Sequence, residues 1–295
     1  MSASQTLAET SVRNRPTRQS RAKGGRAPLP RNLFPLSVAI VIAAFTLVPI
    51  YVLLSSSFSG QAQAPDFFLS LPKRLTFSSF GAAWGELRSN LLNSVLVTVP
   101  STVLSCFIGA VNGLIFAHYP FKRSNGLFIF IMLGMFIPYI AIIIPLFVAL
   151  NAVGIQGGVV GLIVTNTIYG IPICTLIFRN FYEGIPSELI EAARVDGAGF
   201  FKTFANVILP ISGPGFVVAL LLQFTAIWNN FLFGFILAGP DGWPAPVALN
   251  NMVGNTSVDY SVLMSGALMV ALPTGLLYIF LGKFIVQGLT AGALK

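Results

Sequence analysis

Few residues in this 295-residue chain could do covalent or proton chemistry. There is one histidine, His118, and there are two cysteines, Cys106 and Cys174. Both cysteines fall inside apolar runs and read as small buried side chains, with neither a disulfide framework nor metal-ligand spacing around them. His118 closes an apolar run and reads as a headgroup-level residue rather than a proton switch. No paired carboxylates, His cluster or nucleophile–base set is visible, which leaves a membrane enzyme without machinery. No Gly-x4-Gly-Lys-Ser/Thr phosphate loop occurs, so the chain is not expected to hydrolyse ATP itself. No cofactor or metal is expected either.

The polar side chains that remain inside apolar stretches are neutral: Asn112, Thr165, Asn166, Thr167, Gln223, Asn229 and Asn230. Amides donate and accept hydrogen bonds without carrying charge, which suits a hydroxyl-rich neutral solute. Gln223 and Asn230 are seven apart and lie near one helix face, with Gly234 extending the stripe. Trp228, Phe224 and Tyr169 supply ring faces. The candidate substrate path is Asn166, Gln223, Trp228, Asn229 and Asn230. The competing reading is that these amides bond neighbouring helices, worth about 0.6 kcal/mol each on average. The same stretches hold no carboxylate, Lys, Arg or His of the kind that relays protons in self-powered transporters. Sodium can be held by carbonyls alone, so a stand-alone secondary transporter or facilitator of a neutral solute stays as the alternative function.

Such residues need apolar elements to position them. Hydrophobic residues make up 55% of the chain and charged residues 9%, against about 25% charged in soluble proteins. A bilayer is the solvent that fits. A membrane helix needs roughly 20 apolar residues. Stretches at 33–54, 91–117, 126–150, 157–178, 213–238 and 261–282 meet this without a charged residue. They lack the short alternating pattern of barrel strands. The fold class is therefore all-α integral membrane, with about six transmembrane helices. Pro138 and Pro145 share the third stretch; they fit ordinary packing or a broken helix lining a path.

Fourteen of the 17 basic residues fall on one side of this topology. They are Arg13, Arg15, Arg18, Arg21, Lys23, Arg26 and Arg31, then Lys122, Arg123, Arg179, Arg194, Lys202, Lys283 and Lys295. Lys73, Arg74 and Arg88 fall on the other. That asymmetry predicts cytoplasmic N- and C-termini. Residues 1–32 read as a disordered basic cytoplasmic tail beside anionic lipid, not a nucleic-acid arm, and 33–295 as the transmembrane domain. The apolar run from Leu33 is too long for a cleavable signal and reads as an anchor. The outer segments 55–90, with Trp84, and 239–260, rich in turn residues, read as loops.

The segment between spans four and five, about 179–212, has its own helical pattern. Pro186 and Ser187 suit a helix start, Glu188–Val195 is amphipathic, and Gly197 and Gly199 can end it. A second short helix is predicted over Phe200–Ile208, ended by Pro210. The Ala192–Ala193 pair keeps one side slim enough to enter a groove, and Glu191 and Asp196 offer charge to a partner's rim. An amphipathic pair lying on lipid is the plainer alternative.

Glu191-Ala192-Ala193, Gly197, Val207 and Leu209-Pro210 stand at the spacing of the signature loop of binding-protein-dependent ABC importer permeases. Val207 stands where that family usually has Ile. Leu92-Asn93-Ser94, Trp228-Asn229-Asn230-Phe231-Leu232 and the terminal Gln287–Lys295 resemble the carbohydrate-type members, in particular the second permease of the maltose importer. The resemblance covers about residues 33–295. It implies a coupling-helix loop that docks a cytoplasmic ATPase through Glu191, Ala192, Ala193, Asp196, Gly197, Leu209 and Pro210. It also implies a second permease, an extracytoplasmic solute-binding protein, a sugar substrate, and a place in the bacterial or archaeal cytoplasmic membrane, with ATP bound by the partner subunit.

Overall fold

A computed structural model describes residues 33–60, 75–254 and 259–293. The basic tail of residues 1–32, the outer-loop residues Pro65, Pro72, Lys73 and Arg74, and Lys295 lie outside the described residues. The chain divides into two units at Val48 and Pro49. The boundary falls inside the first helix, α1 (Leu33–Ser57), at the proline that interrupts its backbone bonding.

The second unit continues with α2 (Ser78–His118), α3 (Ser124–Leu133), α4 (Tyr139–Ala152) and α5 (Val159–Tyr182). Three short helices, α6 (Ser187–Val195), α7 (Phe200–Thr203) and α8 (Leu209–Ile211), precede the membrane helix α9. After α9 (Gly213–Trp228) come α10 (Phe231–Leu237), α11 (Ala245–Val253) and α12 (Tyr260–Ala293). Among the described residues, four helices are long and apolar enough to cross a membrane, and six spans result when each of two bent helix pairs counts as one.

α2 and α5 share the most extensive contact in the fold. Small residues allow it. A Cβ on Gly109 would stand 2.4 Å from the Cβ of Cys174, and one on Gly113 would stand 2.7 Å from the backbone of Arg179. Two serines fasten the seam. Ser101 donates to its own helix at Val97 and to Ile163 at 3.3 Å, and Ser105 donates to Ser101 and to Thr167 at 3.1 Å. Water cannot satisfy polar groups at this depth, so close backbones and hydroxyl bridges replace the hydrophobic drive. Cys106 and Cys174 meet in this seam as free thiols.

The sequence boundaries need four corrections. α2 begins at Ser78, not near 91, because Ser79, Ala83 and Leu87 carry its buried stripe outward past the apolar core; Trp84 therefore rides on a helix, not a loop. The outer segment 239–260 contains the helix α11. The fifth span is not one helix: α9 stops at Trp228 and α10 restarts at Phe231, with Asn230 accepting from the backbone N of Phe233 at 3.2 Å. The third span is broken at Ile137–Pro138, where α3 and its last turn meet α4 at 101°.

The break is stabilised locally. Ile137 adopts an extended backbone, and its carbonyl accepts from the Tyr169 hydroxyl of α5 at 2.9 Å. Of the two readings open at Pro138 and Pro145, the broken helix holds at Pro138, while Pro145 is absorbed within α4.

Filling the seam should split it. Gly109→Val is expected to lower the stability of the detergent-solubilised protein by about 1–3 kcal/mol. Gly126→Ala, on α3 with nothing within 4 Å of the added Cβ, should leave it unchanged or raise it by about 0.5–1 kcal/mol. Thermal unfolding of the two variants side by side checks this.

Candidate functional site: a helical loop and an amide cavity

The loop after α5 is built from two short helices held to the bundle by one face. Pro186 sits in extended backbone before α6, Glu188 occupies the first turn and Arg194 the last, the order that complements the helix dipole. α6 ends in a paired cap: Ala198 N bonds the Ala193 carbonyl at 2.9 Å and Gly197 N bonds Arg194 at 3.0 Å. Gly197 has φ +78°, the left-handed conformation this cap requires and only glycine adopts freely. The glycine of the motif thus has a backbone reason.

Ile190 and Ala193 form the inward stripe of α6. Ile190 joins Phe178, Tyr182, Phe204 and Ile208 in one apolar cluster. The signature residues therefore divide. Glu191, Ala192, Asp196, Gly197 and Pro210 face outward; Ala193 is buried and Leu209 packs against the cluster. The slim side expected from Ala192–Ala193 is consequently only Ala192.

Beyond α7 the chain widens into a π turn, Phe204–Ile208, and stays helical through Pro210 to Ile211. Pro210 was expected to end the helix. The wide turn before it relieves the clash proline makes with the preceding turn, and the bend of 80° comes at Ser212, into α9.

Aromatic contacts tie this loop to α2 and α5. The Arg194 guanidinium lies 4.5 Å from the ring centroid of Tyr119, the residue after α2. Tyr119 meets Phe200 edge-on at 5.2 Å, and Phe107 of α2 meets Phe204 at 5.7 Å. His118 Nε2 donates to the Tyr182 carbonyl at 2.8 Å, joining the ends of α2 and α5. The Ser212 hydroxyl donates to that of Tyr182 at 3.0 Å. Sequence reasoning did not find Tyr119; its position directly after a helix end, beside the only histidine, was the available signal. It also missed two exposed apolar side chains on the outer side of the loop, Val195 (88% exposed) and Phe201 (79%). Their signal was an apolar residue off the buried stripe.

The second feature is a cavity of about 310 Å³ between the α3–α4 break, α5 and α9. Asn166, Gln223 and Asn230 all line it. They converge: Gln223 Nε2 reaches the Asn166 carbonyl at 3.5 Å and Asn230 Nδ2 reaches Asn166 Oδ1 at 3.4 Å. Gln223 and Asn230 each reach Asn166, with the helix break before Phe231 between them, not along a continuous face. Gly170 has no Cβ where one would stand 1.9 Å from Gln223 Nε2, so this glycine makes room for the amide. Tyr139 and Tyr169 add a ring pair at 4.7 Å, backed by Phe233. No Asp, Glu, Lys, Arg or His is among the lining residues.

Other candidates lie elsewhere. Trp228 is buried, bonds the Val270 carbonyl of α12 at 2.9 Å and stacks on Phe224, so it locks α9 to α12. Asn229 is exposed and bonds back to Thr225. Gly234 packs against Pro244 and does not extend the amide stripe. Asn112 reaches Thr175 at 3.4 Å, across the α2–α5 seam.

Residues 109–290, well over half the chain, match the family described as binding-protein-dependent transport system inner membrane component. The chain belongs to that family. A probable ABC transporter permease of Pyrococcus horikoshii is 47% identical over 59% of this permease and 64% of its own length. The xylose/arabinose import permease XacI of Haloferax volcanii is 29% identical, covering 89% of this chain and 93% of its own. The glucose import permease GlcU of Saccharolobus solfataricus is also 29% identical, over 90% and 96%. Among solved structures, a chain of a bacterial ABC transporter involved in import of the acidic polysaccharide alginate aligns with a TM-score of 0.72 at 20% identity. It covers 88% of this permease and 99% of that chain. The all-helical membrane fold is thus that of ABC transporter membrane subunits.

Gly197→Val is expected to loosen the α6 cap by about 1–2 kcal/mol, with Gly197→Asn costing less. Nothing lies within 4 Å of a Cβ there, so the effect is conformational alone. Faster limited proteolysis between α6 and α7 in the valine variant is the readout.

Proposed function

We propose that this permease is the transmembrane subunit of an ATP-driven importer of a neutral sugar or oligosaccharide. A second permease completes the path, an extracytoplasmic binding protein delivers the solute, and cytoplasmic ATPase subunits dock on the α6–α7 loop. The N- and C-termini lie on the cytoplasmic side with that loop. The chain itself is non-catalytic and holds no cofactor; ATP is bound by the partner.

The observation that carries the reading is the loop. Its exposed side offers Glu191, Ala192, Val195 and Phe201, an apolar patch with a charged edge, and such patches mark protein contacts. Its other side is fixed to α2 and α5 through Tyr119, Ile190 and Tyr182. A push on α6 therefore moves the ends of two membrane helices together.

The neutral cavity supports the cargo. Amides around Asn166 hydrogen-bond hydroxyls, the Tyr139–Tyr169 pair offers ring faces to apolar sugar edges, and about 310 Å³ lies at the lower end of small-molecule sites. The sugars named for the relatives from Haloferax and Saccharolobus are of the same neutral class.

In proteoliposomes holding the assembled complex, Ala192→Trp should cut ATP-driven sugar uptake at least about tenfold by blocking docking. Tyr119→Leu should keep ATPase activity and lower the solute moved per ATP, and Tyr119→Phe should restore much of it. Undiminished uptake by correctly assembled Ala192→Trp protein overturns the docking reading. Solute flux through the purified chain alone, without ATPase, would establish the stand-alone transporter instead.

A further inference from the structure

A second cavity, of about 320 Å³, lies at the other end of the bundle from the α6–α7 loop. It is a groove between the first turns of α2 and the helix α11. Glu86, Leu87 and Asn90 line one side, Asn251 and Met252 the other, and Trp243 the end.

The groove has a fixed frame. Asn90 donates to the Trp243 carbonyl at 2.9 Å, and Asn93 donates to the Asp241 carbonyl at 2.8 Å. Ser94 accepts from the first backbone N of α11 at 2.7 Å. These bonds hold the turn 240–245 against α2. A backbone bridge also ties Gly157 to Leu237 and Gly239, each at 3.0 Å. The backbone of the walls is thus set before any ligand arrives, which lowers the cost of binding, and the Trp243 and Asn251 side chains are left to turn.

Within that frame, three polar groups are left over. The Trp243 indole Nε1 and the Asn251 amide Nδ2 are dry, with no acceptor among the described residues. The exposed Glu86 carboxylate has no ion-pair or hydrogen-bond partner among them. A buried donor without an acceptor is costly, so a ligand that draws these two nitrogens round into the groove recovers that cost. The complement is a ligand that accepts twice, donates to a carboxylate, carries no negative charge beside Glu86, and has an apolar edge for Leu87 and Met252. A saccharide ring meets all four conditions.

We infer that the groove between α2 and α11 is a saccharide-binding subsite, separate from the Asn166 cavity, that holds one neutral sugar unit on the outer side of the permease. It rests on the sugar-import reading for its ligand class and on the groove geometry for its place.

The test is saturation-transfer NMR on the assembled complex in nanodiscs, with glucose, xylose and maltose as neutral probes and glucuronate as the charged control. Binding of at least one neutral sugar should persist in an Asn166→Leu, Gln223→Leu double variant. It should weaken about tenfold or more in Glu86→Gln and in Asn251→Ala, with glucuronate silent throughout. Glu86 is exposed, so its variant keeps the test valid if Asn251→Ala fails to assemble. Loss of all binding in the double variant, or unchanged binding in both groove variants, overturns the proposal. A complex that imports a probe sugar yet shows no groove binding overturns the subsite and leaves the import reading standing. One that imports no sugar and still binds it in the groove keeps the subsite and overturns import.

Discussion

The close approach of α2 and α5 is the constraint on which the rest depends. Helices in lipid gain little from burying apolar surface against one another, so contact must come from packing and polar bridges. Here Gly109 and Gly113 remove the side chains that would hold the backbones apart, and Ser101 and Ser105 span the gap. With α5 fixed on α2, Asn166 is fixed relative to α9, and Gly170 leaves the space that Gln223 fills. Where α2 ends, the same seam closes on His118 and Tyr182, which is where the loop helices anchor. Cavity and loop are positioned by one interface.

Much of this was legible in the sequence. Apolar length gave the spans, because a bilayer imposes a fixed minimum. The Glu191–Pro210 spacing marked the loop, and Pro186 and Gly197 marked the limits of α6, because a left-handed cap admits few residues. Less legible were the discontinuities. Hydropathy averages over 20 residues and cannot see a break that costs no apolar residue. The turn at Ile137–Pro138 depends on a hydroxyl 32 positions away on Tyr169, and the restart at Phe231 depends on Asn230 capping what looked like a helix interior. The wide turn before Pro210 was invisible for the same reason: proline signals a stop unless the turn before it makes room.

The burial of neutral rather than charged polar groups fits a passive path. Asn166 is engaged by both Gln223 and Asn230, so the amides form a connected set instead of isolated polar defects in an apolar medium. The same bonds tie α5 to α9 and to the start of α10.

α2 runs for 41 residues without interruption. At a rise of 1.5 Å per residue its axis is about 60 Å long, about twice the hydrocarbon thickness of a bilayer. Before its midpoint it carries the polar fastenings of Asn90, Asn93 and Ser94 to the turn before α11, while its far end is held to α5 and the loop through His118 and Tyr119. A rod fastened to different partners along its length acts as a lever arm. From Ser94 to His118 the axis runs about 36 Å, so a tilt of about 5° about these fastenings would carry the far end of α2 about 3 Å, and modest rotations translate into displacements approaching the width of a sugar ring.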